Sequence, residues 1–353
     1  MATDLSNSSN DTIGVIGAGS FGTVMANVMA ENAPVLLLAR RQEVADAINK
    51  TRFHKNQEIH PNITLTTNVE EFASRCQLIC PVIPSASFSK MLDQFSPYLK
   101  PYHILIHATK GLDIIMPEGE KLRTLETIDR DSVKSMSELI YEKTAVRRVG
   151  CIAGPNLSKE IAAGQPAATV VASPFDEVIN EGMNALRSSR FRVNASKDLR
   201  GIEMAGVLKN IMAIASGILT GLGYGHNTRA ILITGGLAEM ATLGQAFGAD
   251  PRAFLGLAGI GDLVATCYSP DSRNHTVGYR LAKGEKLDDI IEDMEEVAEG
   301  VKTICIAHAL SNRYRIPTPF TNMLHKVLFR DLDIKQGMKI MMEYPSLADV
   351  DFI

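Results

Sequence analysis

The stretch "TIGVIGAGSFGTVMANVMA" at residues 12–30 permits few local folds. An apolar, β-rich run ends in Gly17, Gly19 and Gly22, spaced G-x-G-x-x-G, and an apolar helical pattern begins at once. A second β-rich run, "VLLLA" at 35–39, follows. In a strand–turn–helix–strand unit the first glycine allows the tight turn. The second lets the backbone approach a pyrophosphate, and the third lets the helix sit on the strand. The N–H groups of the helix's first turn then face the phosphate charge. Elsewhere three such glycines would mark only a tight turn, but this context points to a bound dinucleotide.

The rest of the first half keeps the same rhythm. The runs "QLICPVIP" (77–84), "ILIHATKG" (104–111), "VGCIAG" (149–154), "TVVAS" (169–173) and "FRVNAS" (191–196) alternate with stretches of helical spacing such as 22–33 and 41–49. This implies a largely parallel sheet with helices on both faces, a Rossmann-type doubly wound α/β fold. After about residue 200 the strand signals stop, and helical spacing recurs at 201–217, 228–247, 287–298, 301–313 and 319–329. A chain of 353 residues also exceeds one ordinary core. The expected organisation is a dinucleotide-binding domain over 1–199, with a flexible tail over 1–12. A mainly α-helical substrate domain is expected over 200–353.

Formal net charge is −4 and no basic block exists, which argues against a nucleic acid or an anionic membrane surface as partner. Lys, Arg, Gly or Pro breaks every apolar run before a membrane-spanning length, so no membrane insertion is expected. The opening "MATDLSNSSNDT" lacks the basic start and apolar centre of a signal peptide, and "DVDFI" matches no lipidation or organelle address. The cytoplasm is the expected compartment. Cys76, Cys80, Cys151, Cys267 and Cys305 form no framework and read as buried reduced thiols. In 285–299 the acidic residues between Leu287, Ile290, Ile291, Met294 and Val297 read as a solvated helix face. The eight histidines have no ligand spacing, so no metal is expected, and no nucleophile motif points to acyl transfer.

Two features bear directly on chemistry. An acid about twenty residues after the glycines would hold the ribose 2′-hydroxyl of NAD, whereas arginine accommodates the 2′-phosphate of NADP. Here the second strand runs into Arg40 and Arg41, with no acid before Glu43. Two guanidiniums suit a phosphate dianion and favour NADPH over NADH, though solvated charges at a strand end would look alike. The other feature is "EMAGVLKNIMAIASG" at 203–217, a helix apolar nearly all round with Lys209 and Asn210 in its middle. A buried ammonium is costly. Burial and a neighbouring cation lower a lysine's pKa toward the range useful for proton transfer, and hydride transfer from a nicotinamide needs such a proton source. On spacing alone, a snorkelling or interface lysine also fits.

Several blocks, in order across nearly the whole chain, resemble the soluble bacterial type of NAD(P)-dependent glycerol-3-phosphate dehydrogenase. They are "VIGAGSFGT", "VIPS" (82–85), "ATKGL" (108–112) and "AGPNLSKEIAAGQPAA" (153–168) in the first half. The second half adds "GVLKNIMAIASGI", "GHNTRAILITGGLAEM", "GLAGIGDLVATC", "SRN" (272–274) and "AEGVKT" (298–303). The resemblance implies reduction of dihydroxyacetone phosphate to sn-glycerol 3-phosphate, feeding glycerophospholipid synthesis. It also implies a homodimer, for which the Gly- and Ala-rich helices of 201–247 offer a close-packing surface. Lys209 would be the proton donor, Lys110 a contact of both substrate and cofactor, and Asp262 a substrate-site acid orienting Lys209. Ser272, Arg273 and Asn274 would hold the substrate phosphate, with Arg273 also reaching the cofactor. Gly154 and Asn156 match substrate positions. Ser20, Phe21, Ser158, Val297 and Glu299 match cofactor positions, beside Gly17, Gly19 and Gly22.

Without the family, alternatives stay open. "TKG" also fits a strand-end turn, "DSRN" a polar loop, and Asp262 a helix N-cap. Arginine does suit a bidentate phosphate clamp. Asn156 stands where some relatives carry a small hydroxyl, 113–148 is assigned no chemistry, and His226 reads as structural or substrate-adjacent. The rival reading is a dehydrogenase of another hydroxy or keto acid with the same plan. A non-catalytic nicotinamide sensor would need the glycines but not Lys209, Lys110 and Asp262 together.

Overall fold

The computed structural model describes residues 12–294 and 296–343, so the tail expected over 1–12 (Thr12 apart) and the closing "DVDFI" lie outside the described residues. Eight strands form one sheet. They are β1 (Ile13–Ile16), β2 (Val35–Leu38), β3 (Ile63–Thr66), β4 (Leu78–Pro81), β5 (Ile104–His107), β6 (Arg148–Ala153), β7 (Ala167–Ala172) and β8 (Phe191–Ser196). Their spatial order is β8-β7-β6-β5-β4-β1-β2-β3. All neighbouring pairs are parallel except β6 with β7. The seven runs read from the sequence are seven of these strands. The addition is β3, an edge strand in which only Ile63 and Leu65 are buried, too few alternations for a distinct signal.

β1, β4 and β5 are buried at every position because helices cover both faces of the sheet, and such strands read as continuous apolar runs. The chain leaves β1 toward one edge for β2 and β3, then returns to the other side for β4. The carboxyl ends of β1 and β4 therefore flank the point where strand order reverses, which is where open α/β sheets bind ligands.

β8 gives way directly to a long helix, Leu199–Gly221, whose N-cap Asp198 accepts from Gly201 N at 2.8 Å. Among the described residues this is the one helix long and apolar enough to cross a membrane, and its apolar window is wholly buried inside the protein. Helices His226–Gln245, Asp262–Tyr268, Arg273–Ala282, Glu299–Tyr314 and Pro319–Phe329 surround it. Glycines seat one crossing closely. A methyl on Gly217 would stand 2.0 Å from the His275 carbonyl oxygen, and one on Gly278 would stand 1.9 Å from that of Ile214. That contact fixes the helix carrying Arg273 against the helix carrying Lys209.

Two segments differ from the sequence expectation. No helix is expected between 247 and 287, yet Asp262–Tyr268 and Arg273–Ala282 stand there, separated by a break over 269–272. The second helix buries little besides Asn274, His275, Val277 and Gly278, so its apolar period is weak. The helix expected over 287–298 stops at Asp293. An acidic run opposes the helix dipole at a carboxyl end, and Glu296 and Val297 are drawn instead to Ser20 and Arg273. The charge of this stretch is therefore a solvated face only in part.

Candidate active site

The glycine turn has the shape its spacing implied. Gly17 follows β1 with φ +113, and a methyl there would stand 2.6 Å from the Val82 carbonyl oxygen. A methyl on Gly22 would lie 1.8 Å from the Gly17 oxygen, so helix Ser20–Ala30 can sit this close only without a side chain. At Gly19, by contrast, a methyl would meet nothing within 4 Å. That open space faces the first amides of the helix and is the cradle a dinucleotide phosphate needs, so these residues fit the group. The Leu38 carbonyl accepts from Gly17 N at 3.2 Å, which brings the end of β2 beside the turn. Arg40 and Arg41 lie just beyond it, both exposed and, among the described residues, without an ion-pair partner. Phe21 is half-buried against the sheet core. Ser20 Oγ donates to Glu296 Oε1 at 2.7 Å.

Across the switch point three charged side chains meet. Lys209, 5 % exposed, places Nζ 2.9 Å from Asp262 Oδ1. Lys110, from the turn after β5, places Nζ 2.6 Å from Asp262 Oδ2 and donates to the Gly154 carbonyl at 2.9 Å. Thr266 Oγ1 donates to Asp262 Oδ1 at 2.9 Å and accepts from Lys209 Nζ. Burial pushes the Lys209 ammonium down, Asp262 restores part of the loss, and Lys110 lowers it again; the result is about 8. Burial alone would raise Asp262, but Lys110 and Lys209 outweigh it and hold the carboxyl below its ordinary value. Within this cluster two ammoniums share one carboxylate.

Side-chain amides tie this cluster together. Asn210 Nδ2 donates to the Lys110 carbonyl at 3.3 Å, and Asn274 Nδ2 donates to Asn210 Oδ1 at 3.0 Å. Asn274 Oδ1 accepts from Gly300 N at 2.9 Å. Glu299 accepts from Ser85 N at 2.8 Å and Ser85 Oγ at 2.6 Å, joining the helix Glu299–Tyr314 to the "VIPS" turn after β4. Ser272 caps the helix Arg273–Ala282, its Oγ accepting from His275 N at 3.3 Å. Arg273 donates to the Val297 carbonyl at 3.0 Å and lies 3.2 Å from Glu296 Oε2.

The N-terminal model of the NAD-dependent glycerol-3-phosphate dehydrogenase family matches residues 12–179, and its C-terminal model matches 198–339. The chain belongs to this family. A glycerol-3-phosphate dehydrogenase [NAD(P)+] of Pseudomonas aeruginosa (strain LESB58) is 39 % identical over 346 residues, 97 % of each chain. One from Sphingopyxis alaskensis is 41 % identical over 339 residues, 94 % of each. The crystal structure of the glycerol-3-phosphate dehydrogenase of Coxiella burnetii superposes with a TM-score of 0.82 at 30 % identity, covering 95 % of this chain and 99 % of that one.

In this dehydrogenase fold the turns after β1, β4, β5 and β6 bring Gly17–Gly22, Ser85, Lys110 and Gly154 to one edge, facing Lys209, Asp262, Arg273 and Glu299 from the helices. Asn156 turns aside. Its Nδ2 donates to Thr169 Oγ1 at 2.9 Å, and its buried Oδ1 has no partner among the described residues. Ser158 opens the short helix Ser158–Ala162, whose Lys159 pairs with Asp271 across the cleft. His226 is exposed at the start of its helix. Sequence reasoning overlooked Thr266, although four residues after Asp262 in a helix places both on one face. It also overlooked Glu296, for which the sequence carries no signal. All five cysteines are free and buried.

Proposed function

We propose that this carboxyl edge of the sheet is the catalytic cleft, with Lys209 as proton donor. The enzyme is an NAD(P)-dependent glycerol-3-phosphate dehydrogenase that reduces dihydroxyacetone phosphate to sn-glycerol 3-phosphate, using NADH or NADPH. When bound, the nicotinamide supplies a hydride to C2 of the substrate. Lys209 passes its proton to the C2 oxygen as negative charge develops there and is left as a neutral amine, which its burial favours. Lys110, bound to the same carboxylate, stabilises the same oxygen. Asp262 holds both ammoniums in place, and Arg273 offers its remaining donors to the substrate phosphate. Backbone amides at Gly19 and Ser20 would take the cofactor pyrophosphate, and Arg40 and Arg41 the 2′-phosphate, which favours NADPH.

The observation that carries this reading is the buried Lys209–Asp262–Lys110 cluster beside an open glycine turn. An ordinary core has no use for two ammoniums on one carboxylate. Cytoplasmic location, homodimerisation through the helices of 201–247, and supply of glycerol 3-phosphate to phospholipid synthesis complete the proposal, as does a division into 1–199 and 200–353. The test is oxidation of NADPH and of NADH by pure protein with dihydroxyacetone phosphate. Turnover with both, faster with NADPH, is expected. Cofactor binding without turnover would overturn the catalytic assignment.

A further inference from the structure

Glu203 lies on the long helix six residues before Lys209, and only 3 % of it is exposed. A carboxylate stripped of water persists there only if donors surround it. Ser135 Oγ donates to Oε2 at 2.9 Å, and Ser137 N donates to Oε1 at 3.1 Å. His107 Nε2 stands 3.3 Å from Oε1 and 3.0 Å from Ser137 Oγ, so Glu203 and Ser137 hold the ring together. Burial opposes ionisation, but His107 and Ser137 outweigh it and keep the carboxyl below its ordinary value. The other titratable groups facing it are Tyr141 and Cys151, both raised by burial and so uncharged. His107 Nδ1 is buried without a partner among the described residues, so the polar contacts of the ring run through Nε2, toward Glu203 and Ser137.

His107 closes β5, three residues before Lys110, and the same helix face grips the rest of that turn. Positions 203, 206 and 210 recur on one side of a helix. The Lys110 stem passes 3.6 Å from where a methyl on Gly206 would stand, and Asn210 donates to the Lys110 carbonyl. Carboxylate to imidazole, glycine to methylene stem and amide to carbonyl thus lay residues 107–110 along the helix. At the end of that line the Lys110 ammonium meets Asp262.

We infer that Glu203 is a positioning residue: anchored by Ser135 and Ser137, it fixes His107 and thereby the turn that delivers Lys110 to Asp262. This rests on the active-site reading above, and it gives the segment 113–148 a part in the chemistry. The charged and titratable groups facing Lys209 are Asp262 and Cys267 from helix Asp262–Tyr268 and Lys110 from the turn. Loss of the Glu203 anchor lets Lys110 drift, and removing a cation favours the protonated form of Lys209. Reduction then slows while its alkaline limit moves up.

The test uses the full enzyme saturated with NADPH, following kcat/KM for dihydroxyacetone phosphate against pH. Glu203→Ala should lower kcat/KM by about tenfold to a hundredfold, the scale of a misplaced catalytic group. It should also raise the alkaline limb by about half a pH unit or more, with NADPH affinity unchanged. If Glu203→Ala does not fold, His107→Phe should give the same shift, whereas His107→Gln, which keeps a donor toward Glu203, should restore the wild-type profile. An unmoved alkaline limb in the folded Glu203→Ala or His107→Phe enzyme overturns the inference, and so does a failure of His107→Gln to rescue. Lys209→Ala, assayed alongside, keeps the two readings apart. Retained turnover there sinks the active-site assignment itself, whereas an inactive Lys209→Ala beside unmoved limbs sinks only the role of Glu203.

Discussion

Ser20 Oγ donates to Glu296 Oε1 at 2.7 Å, joining the glycine turn to the strap that precedes helix Glu299–Tyr314. The other oxygen of that carboxylate lies 3.2 Å from Arg273 Nη1. A negative group thus rests at the amide end of the first helix, where the cofactor pyrophosphate is proposed to lie. A pyrophosphate at that end would meet the Glu296 charge, and displacement of Glu296 would free Arg273. Glu296→Gln should tighten NADPH binding by about twofold to fivefold, the scale of one charge at a helix terminus. Titration of NADPH fluorescence reads this directly. Equal affinities would separate Glu296 from the cofactor site.

The lowered pKa of Lys209 has a definite sign in each direction of the reaction. Reduction needs the ammonium, so its rate should hold below pH about 8 and fall above it. Oxidation of glycerol 3-phosphate needs the neutral amine, so it should rise toward about 8 and then level off. The same shift bears on stability. A lysine whose folded value of about 8 lies below its ordinary 10.5 binds fewer protons folded than unfolded between the two, so the penalty of burying it is relieved as pH rises through that window. Lys209→Ala should abolish turnover in both directions while cofactor affinity stays close to wild type. A pH profile without a limb near 8 would remove Lys209 from the proton step.

Arg40 and Arg41 are exposed beyond β2 and hold no ion pair among the described residues, so they are free to meet a phosphate dianion. Arg40→Ala and Arg41→Ala should each weaken NADPH by roughly tenfold, the worth of a charge-assisted contact, and leave NADH nearly unchanged. Dissociation constants for both cofactors check this. Parallel losses would mean that the pair does not read the 2′-phosphate.

Gly17 and Gly22 were legible because backbone geometry leaves no room for a side chain there, Gly19 because a phosphate must approach bare backbone, and β1, β4 and β5 because double burial leaves an uninterrupted apolar run. Lys209 was legible as an anomaly, a charge in a helix with no polar face. Its partners were harder to see, since Asp262 and Lys110 lie 152 positions apart and Ser20 and Glu296 lie 276 apart, beyond any local spacing. The helix Arg273–Ala282 was masked because glycine contacts, not an apolar stripe, hold it in place. The stretch 296–298 looked helical because the apolar spacing continues past Asp293, while the bonds that hold it come from Ser20 and Arg273, outside its own helix.

Thr266 offers the sharpest contrast with Glu203. Its hydroxyl accepts from Lys209 and donates to Asp262, so it stabilises the ammonium without adding charge. Thr266→Val keeps the shape of the side chain and leaves one buried N–H of Lys209 unpaired. That costs the charged form about 1–3 kcal/mol, and 1.36 kcal/mol corresponds to one pH unit. The alkaline limb of reduction should therefore move down, opposite to the shift expected when Lys110 is displaced. Since the lost acceptor supported the ammonium more strongly than the neutral amine, kcat at low pH should fall far less than kcat at pH 8. A uniform fall across the pH range would instead make Thr266 a contact of the substrate.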